Sequence, residues 1–154
     1  MAKRIGLLSD THSYLDDKIF SYFEDCDEIW HAGDIGTMDV VEQLEAFRPF
    51  RAVYGNIDDA KMRATFPENL RFELEGVVVF MTHIGGYPGR YTARVRQILQ
   101  AEPPKLYICG HSHILKVMPD KKLGLLHINP GAAGQHGRSE ERRVGKECAT
   151  GGRS

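Results

Sequence analysis

The chain has 154 residues and a formal net charge of −1; 42% of its residues are apolar and 27% charged. That length suits a single domain, and the balance excludes an intrinsically disordered chain. No apolar run approaches the ~20 residues of a membrane span. The N-terminal apolar stretch at 5–8 is too short for a signal peptide and soon meets Asp10. Cys26, Cys109 and Cys148 show no paired spacing, so a reduced, cytoplasmic setting is expected.

Charge is unevenly spread. Residues 138–154 carry five basic and three acidic side chains, a net of +2, which leaves −3 for the body of the chain. An acidic body argues against a nucleic-acid-binding surface. An anionic substrate would have to be drawn in by something local, such as bound metal.

Short apolar runs alternate with helix-periodic runs, the pattern of an α/β domain. Residues 4–9 read as a buried strand. Ser13 is placed to cap a helix carrying Leu15, Ile19, Phe20 and Phe23 on one face. Residues 28–32 form a second strand. Thr37 caps a helix with Val40, Val41, Leu44 and Phe47 inward, stopped before Pro49. Residues 50–54 make a third strand. A hairpin follows, 70–74 and 77–82, turning at Glu75-Gly76. Residues 91–101 read as a helix ended by Pro103-Pro104, and 105–109 as a strand. Residues 114–118 and 123–128 pair around 120–122. From Gly134 onward Gly, Ser, Arg and Glu dominate, and Val144 is the lone large aliphatic residue. Poor order is expected there. The run 138–148 also resembles the translation of a sequencing-library adapter, so 1–137 is read as the domain and 138–154 as a non-native tail.

Five polar clusters share one position, the end of a strand or the loop after it. They are Asp10-Thr11-His12, Gly33-Asp34, Gly55-Asn56-Ile57-Asp58, Thr82-His83 and Gly110-His111-Ser112-His113. Ligands of α/β sheets collect at the carboxyl ends of strands, where loops converge. Seven of these side chains are good metal ligands: Asp10, His12, Asp34, Asn56, His83, His111 and His113. The set is nitrogen and oxygen without thiolate, which suits manganese, iron or zinc in a catalytic site better than a Cys-rich structural site. Seven donors exceed one tetrahedral ion, whereas two ions ~3.5–4 Å apart with a shared carboxylate would use them all. Singly, each residue has a bland reading: Asp10 and Asp34 as caps or turn residues, Asn56 as a turn residue, His83 as a structural histidine. Their conjunction at five strand ends argues for chemistry. His31 and His127 fall inside strands and His136 in the tail, and none of the three is read as a ligand.

In this order, Asp-x-His, Gly-Asp, Gly-Asn-x-Asp, a single His after a strand and Gly-His-x-His resemble the calcineurin-like metallophosphoesterase superfamily. The small size, the Gly-Asn-Ile-Asp form and the later Asn129-Pro130-Gly131 look like the small bacterial YfcE-type phosphodiesterases. The resemblance spans roughly residues 3–136. It implies an α/β fold, a four-layer αββα sandwich of two mixed sheets flanked by helices. It assigns Asp10, His12, Asp34 and His113 to a first metal and Asp34, Asn56, His83 and His111 to a second, with Asp34 bridging. The implied ions are two divalent metals, manganese first, with iron, zinc or nickel as alternatives. The implied activity is hydrolysis of a small phosphoester, a diester, by a bridging hydroxide that attacks phosphorus in line.

Two departures matter. Many relatives carry His after Gly-Asn to assist the leaving group; here Ile57 stands there. The family also continues beyond Asn-Pro-Gly into further strands, so a missing C-terminal edge strand is expected. Asp58 is read as a partner for a metal-binding His, and Tyr87 or Arg90 as a substrate contact. Two other readings are a phosphomonoesterase or protein phosphatase, and a protein-interaction scaffold like the retromer subunit that resembles this fold.

Overall fold

The computed structural model describes residues 3–133, and the backbone of residues 147–149. Two sheets lie face to face. In the first, β1 (Arg4–Leu8), β2 (Glu28–His31) and β3 (Phe50–Ala52) run parallel, in the order β3-β2-β1. In the second, β4 (Asn69–Leu74), β5 (Val77–Thr82), β6 (Leu106–Ile108), β7 (Lys116–Asp120) and β8 (Leu125–Asn129) lie in the order β4-β5-β6-β8-β7. Here β5, β6 and β8 are parallel, and β4 and β7 pair antiparallel at the edges.

Period-two alternation builds the layers. Ile5 and Leu7 of β1 and Trp30 of β2 face Val77, Val79 and Met81 of β5, Leu106 and Ile108 of β6, and Ile128 of β8. This apolar layer joins the sheets. The opposite face of the first sheet, with Leu8 and Ile29, is covered by α1 (Lys18–Tyr22), α2 (Met38–Phe47) and α3 (Ala60–Thr65) through Ile19, Val40, Val41, Leu44 and Met62. The opposite face of the second sheet packs Phe80 and Tyr107 against Val95 and Leu99 of α4 (Ala93–Ala101). The result is a four-layer αββα sandwich of two mixed sheets, the fold that the family resemblance implies. No described helix is long and apolar enough to cross a membrane.

Local chemistry explains most boundaries. The β4–β5 hairpin turns at Glu75 (φ +53°) and Gly76 (φ +79°), with Leu74 opposite Val77. Two left-handed residues are what a two-residue type I′ turn demands. Thr92 caps α4 by accepting the Val95 amide, and Asp59 caps α3 by accepting that of Met62. The short helix α3 has no sequence expectation to match it, because six residues give too little periodicity. Ser13 does not cap a helix. It has φ +73° and its amide donates to the Ile35 carbonyl, so α1 begins only at Lys18.

The free edge of β1 also differs from expectation. A three-residue strand, β9 (Glu147–Ala149), pairs antiparallel with it, Gly6 standing opposite Glu147. An unpaired edge offers backbone donors and acceptors to any segment that reaches it, and side-chain composition carries no signal of that. The remainder of 138–154, His136 and the boundary at 137 lie outside the described residues.

Candidate metal centre

Five parallel strands, β1, β2, β3, β5 and β6, deliver their following loops to one end of the sandwich. Backbone bonds lace these loops together. The Asp10 amide donates to the Gly33 carbonyl at 2.9 Å, the His12 amide to that of Asp34 at 3.0 Å, and the Gly110 amide to that of His83 at 2.9 Å. The cost shows in the dihedrals. Asp10, His12, Asp34, His111 and His113 all have φ between +48° and +74°. Non-glycine residues seldom adopt this region, and strained backbone concentrates at functional sites. Five of the seven donors read from the sequence thus share one unusual conformation.

The donor atoms fall into two groups. Asp10, His12 and His113 form one, and Asp34, His83 and His111 the other, with ligand atoms within 4.8 Å of one another in each. Asn56 joins the second group, its Oδ1 standing 3.1 Å from His111 Nδ1. Asp34 Oδ2 lies 3.2 Å from His83 Nε2 and 3.4 Å from His12 Nε2, so one carboxylate oxygen faces both groups. Asp10 Oδ1 is 3.3 Å from His113 Nε2 and 3.6 Å from His83 Nε2.

Two buried atoms test whether cations fit. Asp10 is fully buried, and its Oδ2 accepts from Ser9 Oγ at 2.5 Å and from the His111 amide at 3.1 Å. Its Oδ1 has no hydrogen-bond partner. An unpaired carboxylate oxygen in a protein interior is costly unless a cation meets it. His83 Nδ1 is 2.7 Å from the Ala32 carbonyl, which places the ring proton on Nδ1 and leaves the Nε2 lone pair aimed at two carboxylates. Beside those oxygens Nε2 either carries a proton itself or, as a neutral donor, meets a cation lying between. The residues present fit a metal. Burial disfavours the charged form of His83, but Asp34 and Asp10 outweigh it and raise its pKa. Burial likewise disfavours the Asp34 carboxylate, yet His83, the Ile57 amide and the charge of His12 hold its pKa down to about 2.

Supporting residues fix the donors. Gly55 has no room for a side chain, since a Cβ there would strike the Asp34 carboxylate and amide. Asp58 is placed otherwise than the sequence suggests. Its carboxylate accepts the amides of Gly55 (2.8 Å), Gly36 (2.8 Å) and Ile35 (3.2 Å), tying the Asp34 loop to the Asn56 loop rather than orienting a histidine. Clustered backbone amides hold a carboxylate as well as an imidazole would, and Asp58 is 3% exposed, beneath the site. Three contributors were not legible as such: Ser9, which binds Asp10; Arg63, which bonds the carbonyls of Asn56 and Asp58; and Asn129, whose Nδ2 donates to the Gly110 carbonyl and Ser112 Oγ at 3.1 Å each. Only Asn129 left a trace, as part of Asn129-Pro130-Gly131. His31 and His127 are buried and bonded within the fold, His31 to Thr11 Oγ1 at 3.0 Å and His127 to the Tyr107 carbonyl at 3.3 Å.

Comparison with known proteins agrees with this geometry. The family model for the calcineurin-like phosphoesterase superfamily domain matches residues 4–146. A protein of Methanothermobacter thermautotrophicus named "Probable metallophosphoesterase" is 32% identical over 135 residues, covering 83% of this chain and 76% of its own. Among solved structures, one titled as a novel archaeal phosphodiesterase superposes with a TM-score of 0.72 at 21% identity, covering 95% of this chain and 99% of its own. Vacuolar Protein Sorting 29 from Cryptosporidium parvum superposes with a TM-score of 0.67 at 20% identity, covering 86% and 76%. With two groups of side chains able to hold metal at the strand ends of an αββα sandwich, and this family match along nearly its whole length, the chain belongs to the calcineurin-like phosphoesterase superfamily.

Proposed function

We propose that this member of a metal-dependent phosphoesterase family is a phosphodiesterase that works with two divalent ions, manganese in the first instance. The observation that carries the reading is the position of Asp34 Oδ2 between the two donor groups, within 3.4 Å of a histidine from each. Asp10, His12, Asp34 and His113 would hold one ion, and Asp34, Asn56, His83 and His111 the other. Such a pair supplies charge that attracts phosphate and brings the pKa of water toward neutrality, so that hydroxide is available at working pH.

The chain's own residues set the rest. Asp34, with its pKa near 2, stays ionised throughout the neutral range. His83 is locked by the Ala32 carbonyl with Nε2 inward, so its donor atom needs no rearrangement. Asp58 and Arg63 hold the loop that carries Asn56. Ile57 brings no proton to a departing oxygen, which favours esters whose leaving group departs unaided. The intact set of seven donors weighs against a scaffold that only binds partners.

Hydrolysis of bis-p-nitrophenyl phosphate and of p-nitrophenyl phosphate, by chelator-stripped protein with and without added manganese, tests the reading. Turnover of the diester only with metal, and faster than the monoester, is expected. The reverse preference would make the protein a phosphomonoesterase, and no turnover of either would favour the scaffold.

A further inference from the structure

Two cavities border the candidate metal centre and share Ile84 in their walls. One, of about 170 Å³, is bounded by Asn56 and His83 and by the guanidinium-bearing Arg63 and Arg94. The other, of about 310 Å³, begins at His111 and is walled by Ile84, Tyr87, Ile114 and Lys116. A phosphodiester has two ester arms and one phosphorus. Two unlike cavities at one centre offer separate room for two unlike arms.

We propose that the cavity beyond His111 receives one arm of the diester, and that this arm is flat and aromatic, an aryl group or a nucleoside. The assignment rests on the phosphodiesterase reading above and specifies its substrate class. Three of the large apolar side chains left exposed among the described residues border this one cavity: Ile84 at 37%, Tyr87 at 37% and Ile114 at 60%. Scattered exposed apolar residues are ordinary, but a cluster beside a reactive centre marks a binding surface. Among the described residues no carboxylate lines the cavity, and the one ammonium that does, Lys116 Nζ, sits 4.1 Å from the centroid of the Tyr87 ring. That suits an arm with an apolar face and electronegative edges, which a nucleobase or nitroaryl ring offers. The volume falls at the lower end of small-molecule sites.

The cavity is also preformed. The loop that presents Tyr87 is pinned at three points. The Arg90 amide donates to the Tyr87 carbonyl at 2.7 Å, Tyr107 Oη to that of Gly86 at 3.0 Å, and the Thr92 amide to that of Gly85 at 3.0 Å. A wall held in this way loses little freedom when an arm stacks against it. Arg90 does not line the cavity, so of the two loop residues suggested by the sequence it is Tyr87 that is assigned to the substrate.

The experiment uses diesters with a common p-nitrophenolate leaving group and a second arm that is methyl, phenyl or 5′-thymidyl. It is paired with an NMR titration of thymidine 5′-monophosphate into the metal-free protein. Wild type should favour the thymidyl or phenyl arm over methyl by about tenfold or more in kcat/KM, as stacking on an aromatic side chain provides. Tyr87→Ala should collapse that ratio through KM, and Tyr87→Phe should retain it. The nucleotide should perturb Tyr87 and Ile114 resonances in wild type. Hydrolysis with no preference among arms, or a preference untouched by Tyr87→Ala, would overturn the cavity assignment and leave the diesterase reading standing. Nucleotide binding at Tyr87 without hydrolysis of any diester would support the cavity and refute the diesterase. Absence of both binding and hydrolysis would overturn the cavity assignment.

Discussion

The guanidinium of Arg63 reaches back from α3 to the loop before it, with Nη2 3.2 Å from the backbone carbonyl of Asn56. Its Nε stands 2.8 Å from the carbonyl of Asp58, and its plane lies over the Tyr54 ring, 4.8 Å from the centroid. One side chain therefore fixes the backbone on both sides of Ile57 and sets where the Asn56 amide points. Arg63→Met keeps most of the apolar stem and removes the donors. Residues that orient metal ligands are typically worth ~10–100-fold in metal affinity, so the variant should bind manganese at least ~10-fold more weakly, with Arg63→Lys falling between. Calorimetric titration of stripped protein measures this; equal affinities would mean that the loop holds its shape without the clamp.

Gly55 and Gly76 make a matched pair for substitution. At Gly55 an added Cβ would strike Asp34, whereas at Gly76 nothing lies within 4 Å and the sole penalty is the left-handed backbone. Gly76→Ala should cost about 1 kcal/mol of stability and leave metal binding alone. Gly55→Ala should displace the Asp34 carboxylate and weaken metal binding by ~10-fold or more. Thermal melts with and without manganese separate the two, because a given manganese concentration should raise the melting temperature of Gly76→Ala by more than that of Gly55→Ala.

Much of the molecule was legible because hydrophobic period and strand-end chemistry are local properties of sequence. The alternation of 70–74, the β-prone run 77–82 and the turn at Glu75-Gly76 between them made the β4–β5 hairpin readable. The seven donors stood out because five loops repeated one placement. The rest depends on tertiary relationships. Ser13 has a good cap's chemistry, but the ligand loop bends it to φ +73° and delays α1 to Lys18. Asp58 sits beside Asn56 in sequence, yet the amides it satisfies come from Ile35 and Gly36 on another loop as well as from Gly55. Arg63 acts from the last turn of a helix too short to announce itself. The strand at Glu147–Ala149 answers to an open backbone edge rather than to an apolar pattern.

Buried His127 gives a pH dependence of stability. Burial holds its pKa down to about 4, with the charge of Lys116 adding and the Tyr107 carbonyl opposing. The unfolded chain, with an ordinary histidine near pH 6.5, takes up a proton that the folded state refuses. The unfolded state therefore binds more protons through this window, so stability is full above about pH 6.5 and is lost as pH falls toward about 4. The contribution approaches 1.4 kcal/mol per pH unit. Urea unfolding of metal-free protein across this range should show a shallower loss for His127→Gln than for wild type. Parallel losses would place the acid sensitivity elsewhere.

Ile57 is 46% exposed, and its amide is 3.0 Å from Asp34 Oδ1, so its side chain stands at the rim of the centre. A positioned general acid is worth ~10²–10⁴-fold. Ile57→His should raise turnover by less than that range, because the loop is not shaped to aim an imidazole, and most for aryl diesters whose leaving group has a high pKa. The readout is the slope of log kcat/KM against leaving-group pKa. A flatter slope in the variant is expected; an unchanged slope at equal metal content would show that position 57 does not face the leaving oxygen.

The account turns on Asp34, whose Oδ2 is the atom that faces both donor groups. The most direct test is the metal content of manganese-loaded protein, by elemental analysis after gel filtration, for wild type and Asp34→Ala. Wild type should carry about two ions per chain, and Asp34→Ala should lose most of both, because each group surrenders a ligand at once. Undiminished occupancy in Asp34→Ala, with its fold confirmed by circular dichroism, would contradict the shared carboxylate and with it the two-ion site.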